Sequence, residues 1–227
     1  VTMAAKSHLR NGRPILLAVS TNDGLAGAAE NIGRLLARKN YYFVPFGQDD
    51  PAGKPTSLVA DFAQIPQTLE ALFFGGGITL SQVTAITGLE AHTVQNWVKR
   101  GFLTPPEKKR YTMRQLCRIL NINMLKGVLS LEQICSLLGY INGNLADDSD
   151  DIIDDSQLYF MFVKLAARAR HLGGSTEWEE ALQEITADYA EPVPGARDKL
   201  IRVLRIMLTV WAANSLRTAA EKMIDEL

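Results

Sequence analysis

Apolar residues change period along the chain. Near the N-terminus they come as short unbroken runs, Pro14-Ile-Leu-Leu-Ala-Val19 and Tyr41-Tyr-Phe-Val-Pro45, the second rich in β-formers. Between them, within Ala26 to Lys39, Ile32, Leu35 and Leu36 recur at helical spacing. The order strand, turn, helix, strand is that of a βαβ unit, for which a right-handed parallel crossover is expected. Gly47 to Ser57, with prolines nearby and Asp49 beside Asp50, reads as a loop. Ile65 to Phe74 reads as a closing helix, broken by Gly75-Gly-Gly77.

From Ile78 to Gly143 the pattern becomes helical, with four short helices and one strand-like excursion. Thr79 or Ser81 caps a helix running to about Thr87, followed by Gly88 as a turn. Ala91 to Arg100 forms a second helix, stopped by Gly101 in the left-handed position after a helix end. Thr112 with Gln115, and Ser130 with Gln133, have capping-box spacing. Beyond them, residues 144–155 carry six aspartates and no base, a solvated linker or helix-start region. Helices are expected over Ser156–His171, Thr176–Tyr189 (with Thr176 and Glu179 as a capping box) and Ala196–Glu226. The fold class is therefore α+β, mainly α.

Composition adds bounds. With 227 residues, 47% of them hydrophobic, and a net charge of -1, the chain is suited to a packed core and excluded from disordered, collagen-like and disulfide-stapled classes. The most apolar run, Val203 to Ala213, is interrupted by Arg205, so no membrane span is expected. Cys117 and Cys135 lack metal-ligand spacing and no cleavable signal peptide opens the chain, so a cytoplasmic location is expected. Charge is segregated: residues 78–126 hold 8 Lys/Arg against 2 Asp/Glu, whereas residues 127–227 hold 9 against 17. The basic block is suited to meeting a polyanion.

Candidate chemistry concentrates in that block. Val94, Trp97 and Val98 mark the buried stripe of the second helix, which leaves Thr93, Gln95, Asn96, Lys99 and Arg100 on or beside its outer surface. Amide side chains there suit base edges in a major groove, and the cations suit phosphates. The excursion Thr104-Pro-Pro-Glu-Lys-Lys-Arg-Tyr111 has the composition of a wing. Lys108, Lys109 and Arg110 would lie on an adjacent phosphate strand, and Arg114 and Arg118, four residues apart, would add contacts. An ordinary helical hairpin is the alternative.

On the motifs Ile86-Thr-Gly88, Thr93-Val94, Gly101-Phe-Leu-Thr-Pro-Pro106, Arg110-Tyr111 and Ser130-Leu-Glu-Gln-Ile134, the stretch Ile78 to Gly139 resembles the winged helix-turn-helix of the MerR group. The usual effector module and long dimerisation helix are not evident. Residues 78–227 are more similar to the bacterial family named domain of unknown function 1836. The resemblance implies double-stranded DNA as partner, with Thr93, Gln95, Asn96, Lys99, Arg100, Lys108, Lys109, Arg110, Tyr111 and Arg114 in contact. The organisation expected is an N-terminal segment over 1–74, a winged helix-turn-helix over 78–143 and a helical region over 144–227.

The N-terminal segment resembles a different family. Thr2 to Asn11, Arg13-Pro14, Ser20-Thr-Asn-Asp-Gly24, Lys39-Asn40, Pro45 to Pro51, Lys54-Pro55 and Ser57 look like the C-terminal half of dipicolinate synthase B. That family is flavoprotein-like and works with a dehydrogenase subunit. The family's first strand and first loop are absent from the resemblance, so two strands and their helices leave an apolar edge and face open. The block then packs on the helical region, pairs with a second chain, or is poorly stable. Ser20, Thr21, Asn22, Asp23 and Gly24, at a strand end before a helix, are the cofactor-binding candidates, as a turn or as an anion site. No cofactor is expected unless this segment is functional, in which case it is flavin mononucleotide.

No catalytic constellation and no metal site emerge: His8, His92 and His171 are scattered, both cysteines sit on apolar helix faces, and the aspartate run lacks the glycine of an EF-hand loop. The last helix, with Leu200, Val203, Leu204, Met207, Leu208 and Trp211, is apolar over a wide arc that serves the core or a homodimer surface. The leading expectation is a DNA-binding regulator. The alternatives are a partial dipicolinate synthase component and a helical interaction module.

Overall fold

The computed structural model describes residues 15–38, 41–61, 64, 73, 76–145, 147–169 and 175–225. The helix expected over Ile65–Phe74, apart from Phe73, lies outside the described residues, as do His8, His171 and the family-like residues Thr2–Asn11, Arg13, Pro14, Lys39 and Asn40. The chain separates into two compact units, Val1–Gln95 with Pro106–Met113, and Asn96–Pro105 with Arg114–Leu227.

In the first unit, β1 (Ile15–Leu17) pairs in parallel with β3 (Tyr41–Phe43), Ile15 opposite Tyr41, and α1 (Ala29–Leu36) connects them. This is the expected βαβ order. A second small sheet is not legible in the pattern: β2 (Ser20–Thr21) and β4 (Phe46–Gly47) both run antiparallel to β5 (Leu58–Ala60). Thus Ser20 and Thr21, expected in a turn, are strand residues before the turn begins, and the loop expected from Gly47 is entered through a strand. The core here is thin. Val44, Leu58 and Ala60 are buried, whereas α1 buries no residue. Phe43 and Phe46 meet edge to face with centroids 5.8 Å apart.

The same unit continues with β6 (Ile78–Thr79), antiparallel to β7 (Arg110–Tyr111), and α2 (Leu80–Thr87), which lies against β1 and β7. Thr79, not Ser81, is the cap. Its side chain accepts from the Gln82 amide while the Gln82 side chain accepts from the Thr79 amide, a complete capping box. Gly88 then turns the chain with φ 70°, a conformation in which a Cβ is disfavoured. The next helix, α3 (Ala91–Lys99), spans the junction of the two units.

The second unit is helical: α4 (Met113–Leu125), α5 (Leu131–Asn142), a 3-10 turn (Asp148–Asp150), α6 (Asp155–Ala169), α7 (Ser175–Ile185) and α8 (Ala196–Asp225). Ser130 and Gln133 close the expected capping box at the start of α5. The core is built by Leu116, Ile119 and Ile122 of α4, Ile134, Leu138 and Ile141 of α5, and Leu158, Phe162 and Leu165 of α6. Leu200, Val203, Leu204, Met207 and Leu208 of α8 complete it. α8 packs against α5, α6 and α7, so this part of its arc serves the core; Trp211 is only half-buried.

Candidate functional site

α2, Gly88 and α3 set the outer surface of α3 by burying its inner one. Val94 and Trp97 are buried and Val98 is half-buried, while Gln95, Asn96, Lys99 and Arg100 are exposed and Thr93 half-exposed. The turn before α3 is satisfied locally: the Thr87 hydroxyl donates to the Val83 carbonyl at 2.8 Å and accepts from the Leu89 amide at 3.3 Å. At the far end Gly101 has φ 75°, and the Phe102 amide donates to the Trp97 carbonyl at 2.9 Å. Arg100 is not a free cation there. It pairs with Glu132 at 2.9 Å and lies 4.5 Å above the Phe102 ring. The Glu132 carboxyl is held below its usual range, chiefly by its own backbone amide and then by Arg100.

The basic excursion closes as a tight hairpin. Glu107 and Arg110 form an antiparallel bridge, and the Arg110 amide donates to the Glu107 carbonyl at 2.7 Å. The two residues at the tip, Lys108 and Lys109, have φ 46° and 64°, the signature of a type I′ turn, in which Asn-Gly is the favoured pair. Both lysines are exposed, and among the described residues neither pairs with an acid. Arg110 is exposed, but its guanidinium donates to the Gly77 carbonyl at 3.0 Å. Gly77, φ 101°, lies so close that a Cβ would come within 2.9 Å of the Tyr111 carbonyl oxygen.

Three residues expected as contacts are placed otherwise by the structure. Tyr111 is 3% exposed in β7, and burial raises its phenol above the ordinary range; it is a core residue. Arg114 is half-buried and ion-paired with Asp151, with Asp154 at 3.5 Å and Asp155 at 3.7 Å. Arg118 is buried, donating from Nη1 to Asp155 at 3.2 Å and from Nε to the Phe102 carbonyl at 3.0 Å. The aspartate run is therefore no plain solvated linker, although it does start a helix. Asp155 opens α6 with its side chain fully buried, and desolvation lifts its carboxyl above the usual range despite Arg118 and Arg114. Charge arithmetic could have flagged this pairing, because six acids next to a basic block need partners when they are buried.

At the N-terminal turn, Thr21 donates to the Asp23 carboxylate, and the Leu25, Ala26 and Ala28 amides donate to the Thr56, Asp23 and Asp23 carbonyls at 2.9 to 3.1 Å. An anion at this turn would meet the Asp23 carboxylate and amides already engaged, so Ser20–Gly24 as it stands does not fit a flavin phosphate. Asp49 accepts from the Ser57 hydroxyl at 2.8 Å, which lowers its carboxyl, with Lys54 at 3.7 Å. These contacts serve the loop. Cys117 is fully buried and Cys135 partly so; burial pushes both thiols up, away from nucleophile chemistry. Among the described residues no group of three His, Cys, Asp or Glu is arranged to hold a metal, and no helix is long and apolar enough to cross a membrane.

Comparison with known proteins separates the chain in the same way as its motifs. The family described as Domain of unknown function (DUF1836) matches residues 77–162. Dipicolinate synthase B, a synthase subunit of Bacillus subtilis (strain 168), is 53% identical over 70 residues, 31% of this chain and 35% of that protein. The uncharacterized protein YkrK of the same organism is 27% identical over 118 residues, 50% of this chain and 51% of that one. A crystal structure of dipicolinate synthase B from Bacillus halodurans C is 53% identical, covering 32% of this chain and 37% of that one, with a TM-score of 0.30. The chain thus spans only about a third to a half of the curated relatives it matches. It carries a DUF1836 domain over residues 77–162 and a separate segment similar to dipicolinate synthase B.

Proposed function

We propose that the two matched parts of the chain have separate roles: the N-terminal segment as part of a dipicolinate synthase-type subunit, and residues 78–143 as a duplex DNA binder of winged helix-turn-helix type. The first role has the stronger backing from relatives, through the 53% identity over 70 residues. Its partner would be a dehydrogenase subunit, and flavin mononucleotide the cofactor the resemblance implies. The turn residues Ser20–Gly24 offer that cofactor little, so the expectation is docking without flavin. Co-purification of the full chain with a dipicolinate synthase dehydrogenase subunit, with a flavin titration alongside, tests both parts. Failure to co-purify overturns the docking role.

The second role rests on one observation of geometry: two exposed lysines hold the tip of a hairpin in a left-handed conformation that costs L-residues about 1 kcal/mol or more each. Among the described residues nothing engages their ammonium groups in an ion pair, so the fold itself gains nothing from choosing lysine over Asn-Gly there. A strained residue kept without an internal partner is the mark of an external one. In this reading Lys108 and Lys109 rest on phosphate, Gln95 and Asn96 face base edges, and Thr93 and Lys99 flank them. Arg100 and Arg110 contribute only as far as Glu132 and the Gly77 carbonyl release them. Arg114 and Tyr111 are structural supports.

The test is duplex binding by the full chain against salt concentration. Each phosphate contact steepens the log-log dependence by about 0.9. The Lys108→Ala/Lys109→Ala variant is expected to flatten it by nearly two such contacts, and Gln95→Ala to weaken binding on selected sequences only. Equal affinity and slope for parent and lysine variant would reject DNA binding through the hairpin.

A further inference from the structure

The long helix α8 is packed along only part of its length. Between Ala196 and Val210 it buries an apolar face in the helical unit, but every described residue from Ser215 to Ile224 with an assigned burial is exposed. Leu216, Met223 and Ile224 are 73%, 68% and 67% exposed. They are not scattered. Ile206, Ala213, Leu216, Ala220 and Met223 fall at spacings of seven, three, four and three, which keeps them on one stripe of the helix. Helices owe most of their stability to packing of such a stripe, and among the described residues the stripe on the outer half of α8 is left uncovered.

The same unit holds a matching concavity. A groove of about 480 Å³ lies between α5 and the inner half of α8, lined by Leu129, Leu137 and Tyr140 on one side and by Val203 and Ile206 on the other. Its rim is cationic: Arg202 lies 3.5 Å from the Tyr140 hydroxyl, and the Lys199 ammonium is 5.6 Å from the Tyr140 ring. Charge along α8 runs against the helix dipole, since residues 196–205 hold four cations and one anion whereas residues 221–226 hold three anions and one cation. Such a distribution is unfavourable within one helix and favourable between two antiparallel ones.

We propose that the groove receives the outer half of α8 from a second copy of this chain, the two helices running antiparallel about a two-fold axis at Ala213. In that register Ile206 meets the partner's Ala220, and the cationic rim of one copy meets the acidic end of the other. Ala213, small and exposed, allows the backbones to approach on the axis. The contact is isologous, so it closes on itself as a dimer. It does not depend on the DNA-binding reading.

Sedimentation velocity of the full chain between about 1 and about 100 μM is the primary measurement, a span in which an interface of modest area dissociates. A reversible dimer is expected. Leu216→Glu and Ile206→Glu, both at exposed positions, should each weaken it about tenfold or more while far-UV circular dichroism stays that of the parent. In a Cys135→Ser background, Ala213→Cys should cross-link to itself with a short bis-maleimide. Met223→Cys should not, because antiparallel pairing separates the two copies of residue 223 by about 30 Å along the axis. A monomer across the whole range, a dimer indifferent to both glutamates, or self-cross-linking of Met223→Cys would each overturn the proposal.

Discussion

Replacing Lys108 and Lys109 by Asn and Gly should stabilise the protein and damage its proposed activity together. Both lysines sit at positive φ, 46° and 64°, on an exposed turn closed by the Glu107 carbonyl and the Arg110 amide. Left-handed backbone costs an ordinary L-residue about 1 to 2 kcal/mol, Asn less, and Gly almost nothing. No ion pair among the described residues is lost in exchange, so the double variant should gain about 1 to 2 kcal/mol, less what glycine forfeits by loosening the unfolded chain. Urea denaturation followed by circular dichroism reads the gain, and pulse proteolysis checks it where the transition is not two-state. Lys108→Ala/Lys109→Ala separates strain from charge: it removes both ammonium groups but keeps a Cβ at each left-handed site, so it should not be stabilised. Both double variants should lose duplex affinity equally. An Asn-Gly variant less stable than the parent would refute the conformational argument. Undiminished duplex affinity would refute the functional one while leaving the conformational one standing.

Three further outcomes are expected. Thr79→Ala removes the acceptor for the Gln82 amide and should cost about 1 kcal/mol, visible as faster amide exchange in the first turn of α2. Gly88→Ala meets no atom within 4 Å of its new Cβ, so any loss comes from φ 70° alone; about 1 to 2 kcal/mol is expected in denaturation, and a loss near zero would mean the turn relaxes. Asp155 holds its proton more tightly folded than unfolded, so its share of stability is full below the unfolded carboxylate range near pH 3.9 and is lost as pH rises through its elevated folded value. Asp155→Asn should remove that decline from the stability-pH curve above about pH 4, and curves of identical slope would refute the assignment.

Most of the helical framework is legible because its signals are local. Thr79 with Gln82, Gly88, Gly101 and Ser130 with Gln133 each act within one turn of chain, and each marks a helix boundary where the pattern of side chains places it. The parallel pairing of β1 with β3 follows from two apolar runs flanking a helix. The sheet of β2, β4 and β5 is not readable, since strands of two or three residues are too short to show alternation. Exposure on α3 is readable for Gln95, Asn96 and Lys99 because Val94 and Trp97 fix the buried face. Tyr111 misleads for the opposite reason. A tyrosine ending a basic segment looks like part of it, yet alternation in a strand turns it inward, away from the exposed Arg110.

Arg114 and Arg118 show why a charge count along the chain does not give the field a partner would meet. Both belong to the block with eight bases and two acids, and both are matched by carboxylates 37 residues later in the acidic block. With those two cations compensated, and Arg100 answered by Glu132, the positive charge left in the block rests on Lys99, Lys108, Lys109, Arg110 and Lys126. Buried pairing of this kind contributes little net stability but fixes which ends of α4 and α6 meet, since separating either partner leaves a charge in low dielectric. The acidic run is therefore best understood as the counterpart of α4. It neutralises two cations of α4 that a charge count alone would assign to the surface.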